Sequence, residues 1–293
     1  MSGLEQSTGL DNTGGLDKAA LLELEAVAVE LARLAAAEIT TALGRELAIR
    51  YKEAESRTGA ARYRDPASEA DERIEQLIRA RLAERLPDHG VVGEEMATLA
   101  GDPDAPVWVI DPIDGTANFV NGLPLYAASI GVMHQGGAVA GAIWCTTSHA
   151  LRPGVYHAHR GGRLRFDEAP LEQRRHADLR RRLAADPSPR GSAEHGWEMR
   201  KTGSASLECA FVAAGLFEIA RFAQPNLWDV AAGLALIAAS GGTIREQADD
   251  TWQPLQPIPN DAIATWRRPL LIGDPTAVDR FIASEKQDGA PSE

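Results

Sequence analysis

Asp111, Asp114 and Thr116 fall in one short segment, Trp108-Val109-Ile110-Asp111-Pro112-Ile113-Asp114-Gly115-Thr116-Ala117-Asn118-Phe119. The apolar run 107–110 reads as a buried strand ending in Asp111. Pro112 has no N–H to offer a sheet ladder, so the chain is expected to leave the sheet there. Gly115-Thr116 opens the next element. Two carboxylates thus converge at the carboxyl end of a strand, beside backbone N–H groups that can face an anion. Hard oxygen donors of this kind suit magnesium or manganese, and phosphate bridges such ions well. Asp-Pro and Asp-Gly are also ordinary turn residues, and Thr116 an ordinary helix cap. That plainer reading does not explain two acids and a hydroxyl directly after a buried strand.

Three further segments carry acids at element ends. Gly93-Glu94-Glu95 follows the short strand Val91-Val92. Alone it reads as solvated surface; beside the first segment its glutamates become candidate ligands, since a multi-metal site draws carboxylates from several strand ends. Trp228-Asp229-Val230-Ala231-Ala232-Gly233 starts a helix, where Asp229 serves as N-cap or first-turn acid. The small residues after it suggest a close backbone approach. Asp65-Pro66-Ala67-Ser68-Glu69-Ala70-Asp71 precedes another helix, with Ser68 and Asp71 spaced as a capping box. None of the seven histidines lies in these segments.

The elements that must position these residues follow from periodicity. Leu24, Val27, Leu31 and Leu34 mark a helix over 16–44, and Ile74, Leu77, Ile78 and Leu82 mark a second from Ser68 to about Leu86. Between them, 50–66 reads as polar and irregular. Strands are expected at 91–92, 107–110, 126–133 and 138–145, the last two forming a hairpin across Gly136-Gly137. Residues 160–200 read as a loop-rich connection. A helix near 204–215, strand 217–222, helix 229–240, a strand starting at Thr243-Ile244, strand 269–272 and helix 276–284 complete the chain. Helices precede strands in the first half and alternate with them in the second, which favours a mixed α/β layered sandwich (α+β in arrangement) over a simple doubly wound sheet.

Composition narrows the function. The chain of 293 residues is 44% hydrophobic and carries 30 Lys+Arg against 42 Asp+Glu, a net charge of −12. That balance argues against a general nucleic-acid or membrane-surface binder, while bound divalent cations would still admit anionic substrates. Two cysteines, Cys145 and Cys209, exclude a disulfide framework and point to a reducing, cytoplasmic setting. Both sit in apolar context and read as core residues. No apolar run reaches membrane-spanning length. Residues 1–15 lack the apolar stretch of a signal peptide and read as a disordered tail, as do residues 286–293.

Together the segments resemble the inositol monophosphatase family, the lithium-sensitive, magnesium-dependent phosphatases. The resemblance runs from about Leu16 to Ala283. It rests on W-V-I-D-P-I-D-G-T-A-N-F at 108–119 and W-D-V-A-A-G-L-A-L-I-A-A-S-G-G at 228–242, with D-P-A-S-E-A-D at 65–71 and G-E-E at 93–95 in the family's order. It implies a layered α-β-α-β-α sandwich of the sugar phosphatase type, with closely packed subdomains over 16–150 and 151–285. It also implies two or three magnesium ions per site, with manganese a possible substitute. Asp111 would bridge two ions. Glu94 and the Ile113 carbonyl would complete the first shell, and Asp114 and Asp229 would hold the second. Gly115 and Thr116 would cradle phosphate, Thr116 with Asp71 would orient the attacking water, and Glu95 would support. Asp71, Thr116 and Glu94 are thus the catalytic candidates. Lys201-Thr202-Gly203-Ser204-Ala205-Ser206 resembles the family's substrate-bordering turn, which adds Gly203, Ser204 and Ala205 to the substrate-binding set with Asp114 and Asp229.

The chain also departs from that family. Phe222 joins the substrate-binding set by position, standing where inositol-specific members carry a glutamate that contacts substrate hydroxyls, but an aromatic ring cannot accept those hydrogen bonds. Ala60 stands where the family has a lysine, leaving Lys52, Arg62 and Arg64 as stand-ins. Ser206 replaces an alanine. Arg174, Arg175, Arg180, Arg181 and Arg182 read as a solvated face, or as a second phosphate or partner site. His157-Ala158-His159 puts two imidazoles on one strand face, and zinc there would need a further ligand. The expected activity is hydrolysis of a small phosphorylated metabolite: a sugar phosphate or bisphosphate such as fructose 1,6-bisphosphate, histidinol phosphate, an inositol phosphate or 3′-phosphoadenosine 5′-phosphate. The alternative of another class is a regulatory binding protein that keeps the fold. A homodimer and lithium inhibition are family expectations.

Overall fold

The computed structural model describes residues 15–43, 49–53, 63–173, 178–179, 181–186 and 196–288. In chain order the elements are α1 (Lys18–Ala42), β1 (Ile49–Glu53), β2 (Tyr63–Ser68), α2 (Glu69–Arg85), β3 (Gly90–Gly93), β4 (Val107–Asp114), α3 (Thr116–Val120), β5 (Ala127–His134), β6 (Gly137–Cys145) and β7 (Gly154–His159). There follow β8 (Arg165–Phe166), β9 (Ala169–Pro170), β10 (Arg182–Ala185), β11 (Trp197–Arg200), α4 (Ala205–Ala213), β12 (Ile219–Phe222), α5 (Leu227–Ala239), β13 (Thr243–Ala248), β14 (Thr251–Pro254), a 3-10 helix (Asn260–Thr265), β15 (Leu270–Gly273) and α6 (Pro275–Asp288).

The first sheet runs β3-β4-β5-β6-β7-β8-β9 and the second β11-β10-β12-β15-β13-β14, with β1 and β2 paired by themselves. Helices α1 and α2 cover one face of the first sheet. Helices α4 and α5 fill the space between the sheets, and α6 lies on the outer face of the second. The expected five-layer α-β-α-β-α sandwich is therefore observed. Its largest apolar cluster lies in the middle layer, built from α4, α5 and the inner faces of both sheets.

Several local expectations are corrected. Residues 49–53 and 63–68 pair as antiparallel strands within the stretch read as irregular. The segment read as a loop-rich connection contains β10 and β11, which pair in parallel at the edge of the second sheet. Short strands at an edge leave little periodicity to read. The β5–β6 turn is Gln135-Gly136, one residue earlier than expected, and both residues take positive φ (47° and 79°). This is the turn that matches the right-handed strand twist. Helix α6 runs to Asp288, into the stretch expected as a tail. Residues 1–14 and 289–293 lie outside the described residues.

Small residues set the spacing between α5 and the first sheet. A Cβ on Gly131 of β5 would lie 2.7 Å from the Ala231 Cβ and 2.8 Å from the Ala232 nitrogen, and one on Gly141 of β6 would lie 2.6 Å from the Ala232 oxygen. The helix backbone therefore seats directly on the sheet, and Asp229 in its first turn is carried toward the strand ends.

On the other face, α1 is pinned by a buried polar cluster. Glu25 interrupts the helix's apolar stripe and is only 6% exposed. Its carboxylate oxygens accept one Nδ1 each from His157, at 2.5 Å, and His159. The Nε2 of His157 faces the Asp167 carbonyl at 2.6 Å, so both ring nitrogens are held by oxygens. Burial by itself pushes the Glu25 carboxyl up. The two imidazoles outweigh that, and its pKa ends below the ordinary glutamate value. A depressed carboxyl stabilises the fold above its unfolded pKa and loses that contribution as pH falls through the folded value. Glu25→Gln is expected to lower unfolding free energy by about 2 kcal/mol at pH 7. In urea titrations the gap from wild type should narrow as pH drops below about 4.

Candidate active site

Strand β4 does not end at Pro112 as expected. It pairs with β5 through Asp111↔Ser129, slips register, and pairs again at Asp114↔Ala127. The missing proline donor takes residues 112 and 113 out of the ladder without ending the strand. The freed Ile113 N–H turns inward and donates to Asp111 Oδ1 at 3.1 Å. The bulge brings Asp111 and Asp114, both buried, to one strand end.

Gly115 then caps α3 with φ 93° and ψ 37°, a left-handed conformation that glycine adopts without strain. Thr116 is therefore the first helical residue, not the cap. Its hydroxyl lies 3.1 Å from Asp71 Oδ1 and 2.9 Å from the Ile113 carbonyl, and its single proton serves one of these at a time. Asp71 is fully buried, on the inward face of α2. The side chain of Ser68, its expected capping partner, lies outside the described residues.

The turn before α4 closes over Asp114. Ser204 caps that helix, donates its hydroxyl to Asp114 Oδ2 at 2.9 Å, and the Ser206 N–H donates to the same oxygen. The Ser206 hydroxyl reaches the Asp229 carbonyl at 2.8 Å, so this serine ties α4 to α5. Asp229 stands in the first turn of α5, with Asn226 as the cap, and Asp229 Oδ2 accepts the Asn226 N–H at 2.8 Å. Gly203 and Ala205 belong to the same turn. Asn118 of α3 donates to the carbonyls of Thr202 and Leu125, at 2.8 and 2.6 Å, which locks α3 to it. Buried Glu208 accepts the Thr202 N–H at 3.0 Å and its hydroxyl at 2.9 Å. Burial pushes the Glu208 carboxyl up to about 7 despite those bonds.

Electrostatically the acids act as one group. Burial first, then the charges of Glu94, Asp114, Asp229 and Asp71, hold the Asp111 carboxyl well above its ordinary range. Burial pushes Asp114 up to about 6 in spite of the Ser204 and Ser206 bonds. Burial and the Asp114 charge push Asp229 up to about 8. The charges that weigh on Asp111 are all acidic, so the arrangement calls for positive charge.

The donor set fits a hard divalent cation. The hydrogen bonds above fall on one oxygen of each acid: Oδ1 of Asp111, Oδ2 of Asp114 and Oδ2 of Asp229. Among the described residues, no three of the His, Cys, Asp and Glu side chains stand close enough to grip one ion by themselves. The fit rests on the chemistry of the donors: carboxylate oxygens are the ligands hard divalent cations take.

The remaining sequence candidates fall elsewhere. Phe222 on β12 is 5% exposed and packs in the core between the sheets. His157 and His159 are held by Glu25 rather than gathered with the acids. Arg181 pairs with Glu198 at 3.2 Å and Arg182 with Glu218 at 3.7 Å. Arg174, Arg175 and Arg180, the segment containing Ala60 and Arg62, and the side chains of Lys52 and Arg64 lie outside the described residues. Cys145 and Cys209 are buried as expected. Sequence reasoning missed Glu75 and Glu208. No sequence signal singles them out: an acid in a helix reads as solvated until its partner from another element is known.

The sequence model of the inositol monophosphatase family matches residues 20–266. An inositol-1-monophosphatase of Rhizobium meliloti is 34% identical over 194 residues, 61% of this chain and 71% of the relative. A protein named Nus factor SuhB from Xylella fastidiosa is 32% identical over 194 residues, 61% of this chain and 68% of the relative. The solved inositol monophosphatase of Anabaena superposes with a TM-score of 0.69 at 23% identity, covering 91% of this chain and 96% of that one, a likeness of fold. The chain belongs to the inositol monophosphatase family, and with it to the phosphoric monoester hydrolases.

Carboxyls whose pKa rises on folding favour the folded state at low pH and oppose it as pH rises. The chelator-treated protein is therefore expected to melt on the order of 5 °C higher at pH 5.5 than at pH 8. Asp229→Asn should flatten that dependence, as read by calorimetry across the same pH range.

Proposed function

We propose that the protein is a magnesium-dependent phosphomonoesterase that hydrolyses a small phosphorylated metabolite, with manganese able to substitute. The observation that carries this reading is the hydroxyl of Thr116, bonded to buried Asp71, beside mutually repelling Asp111, Asp114 and Asp229. The family is metal-dependent, which agrees with that donor set. Asp111, Asp114, Asp229, Glu94 and the Ile113 carbonyl are the proposed ligands of two or three ions. When bound, the cations supply charge neutralisation and a lowered pKa for water.

The chain's own groups do the positioning that phosphoryl transfer mostly requires. The N–H groups of Gly115 and Thr116 hold phosphate oxygens and fix the phosphorus. With its proton directed to Asp71, the Thr116 hydroxyl presents a lone pair that accepts from the attacking water and aims it in line. Asp71 is the buried acceptor at the end of that relay. Gly203, Ser204 and Ala205 border the substrate, and Ser204 also fixes the orientation of Asp114. No histidine or cysteine is needed as nucleophile.

Phe222 offers no acceptor where inositol-specific relatives have a glutamate. The substrate is therefore one whose recognition does not depend on hydroxyl contacts at that position. A second reading, a regulatory partner role, is supported by the likeness to a relative named as a Nus factor.

Phosphate release should be measured on inositol 1-phosphate, fructose 1,6-bisphosphate, histidinol phosphate and 3′-phosphoadenosine 5′-phosphate, each with magnesium and with chelator. Turnover of one compound is expected to dominate, to require magnesium, and to fall at least 1,000-fold in Asp111→Asn, roughly the size of losing a principal transition-state electrostatic contact. Folded protein that turns over none of them, together with a cellular role that survives Asp111→Asn, would favour the partner reading.

A further inference from the structure

We propose that Glu75 is a positioning residue for the loop Gly93-Glu94-Glu95, gripping its backbone so that Glu94 is presented to the acidic centre. This inference rests on the phosphatase reading and on Glu94 as a ligand. Glu75 lies on α2 one turn after Asp71, and both carboxylates are fully buried. Its Oε2 accepts the Glu95 N–H at 2.8 Å. Its Oε1 accepts Arg79 Nε at 2.8 Å, and Arg79 Nη2 reaches on to the Met96 carbonyl at 3.3 Å. A carboxylate and a guanidinium from one helix thus hold successive backbone groups of the loop, on the C-terminal side of Glu94.

The loop is shaped to receive that carboxylate. A Cβ on Gly93 would lie 2.2 Å from Glu75 Oε1 and 2.6 Å from Oε2, so glycine at 93 is the space into which Glu75 fits. An exposed i,i+4 Glu–Arg pair contributes only about 0.3–0.5 kcal/mol and does not require burial. Here burial pushes the Glu75 carboxyl up, and the bonds from Glu95 and Arg79 only partly offset it. The cost of burying the acid is matched by order in the loop rather than by the ion pair alone. Groups that orient metal ligands from behind typically change metal affinity 10- to 100-fold when removed.

The test is manganese binding to the full-length, metal-stripped protein, followed by electron paramagnetic resonance, alongside the magnesium dependence of phosphate release. Glu75→Ala is expected to weaken manganese binding at least tenfold and to raise the magnesium midpoint in parallel, with KM at saturating magnesium within twofold of wild type. Glu75→Gln keeps an oxygen for the Glu95 N–H and should restore most of the affinity. Gly93→Ala, whose methyl displaces the Glu75 carboxylate, should reproduce the loss and carries the test if Glu75→Ala does not fold. A lower melting temperature with an unchanged manganese midpoint in these variants would overturn the proposal, leaving Glu75 a structural residue. So would a wild type that binds no manganese. Tight binding without phosphate release from any substrate would instead count against the phosphatase reading, while the binding series still decides the role of Glu75.

Discussion

Concentrating Asp111, Asp114, Asp229 and Glu94 at one end of the first sheet is electrostatically costly. Burial and the crowding of charge raise the pKa of Asp111, Asp114 and Asp229, and the unfolded chain, where the acids are apart and hydrated, is spared that penalty. The fold must therefore supply enough packing elsewhere to force the acids together. It does so with a continuous middle layer in which α4 and α5 bury apolar side chains against both sheets. The acids come from β4, the loop after β3, and the first turn of α5. No single element can relieve the repulsion by shifting alone without breaking that layer.

The same constraint explains the small residues. Asp229 reaches the strand ends because α5 sits unusually close to β5 and β6, and that closeness requires Gly131, Gly141, Ala231 and Ala232. The Pro112 bulge does the equivalent for β4. It turns a strand that would place alternate residues on opposite faces into one that brings Asp111 and Asp114 to the same end. Gly115 then permits the sharp reversal into α3, which sets Thr116 against Asp71.

Much of this was legible in the sequence, since chemistry and chain punctuation coincide in it. Asp-Pro-Ile-Asp-Gly-Thr states both the acids and the turn, and the α5 segment states both Asp229 and the close approach after it. Long periodic elements such as α1 and α2 were equally readable. The strands β10 and β11 were not, because four residues at a sheet edge carry no period. Neither were Glu25, Glu75 and Glu208. An isolated glutamate in a helix reads as a solvated residue, and only the partner brought in from another element shows that it is buried. For Glu25 that partner is the pair His157 and His159, 132 and 134 residues away, which from sequence read as a candidate metal site still lacking a ligand.

Two of those helical glutamates, Glu75 and Glu208, share a principle with the site itself. Glu75 accepts the Glu95 N–H, Glu208 the Thr202 N–H, Asp229 the Asn226 N–H, and Asp111 the Ile113 N–H. Each functional loop is thus fastened by a buried carboxylate that takes a backbone donor. When the carboxyl is ionised such a bond contributes about 1.5–3 kcal/mol, enough to offset part of the burial cost, and its geometry is more sharply defined than an apolar contact. Tilting or sliding the loop breaks the bond, whereas apolar packing tolerates small shifts. Chemistry that depends on placing several oxygens to within a fraction of an ångström benefits from that directionality. Helix α2 gives the clearest case: one turn separates the carboxylate that meets Thr116 from the one that holds the Glu94 loop, so a single rigid helix sets the distance between the two sides of the site.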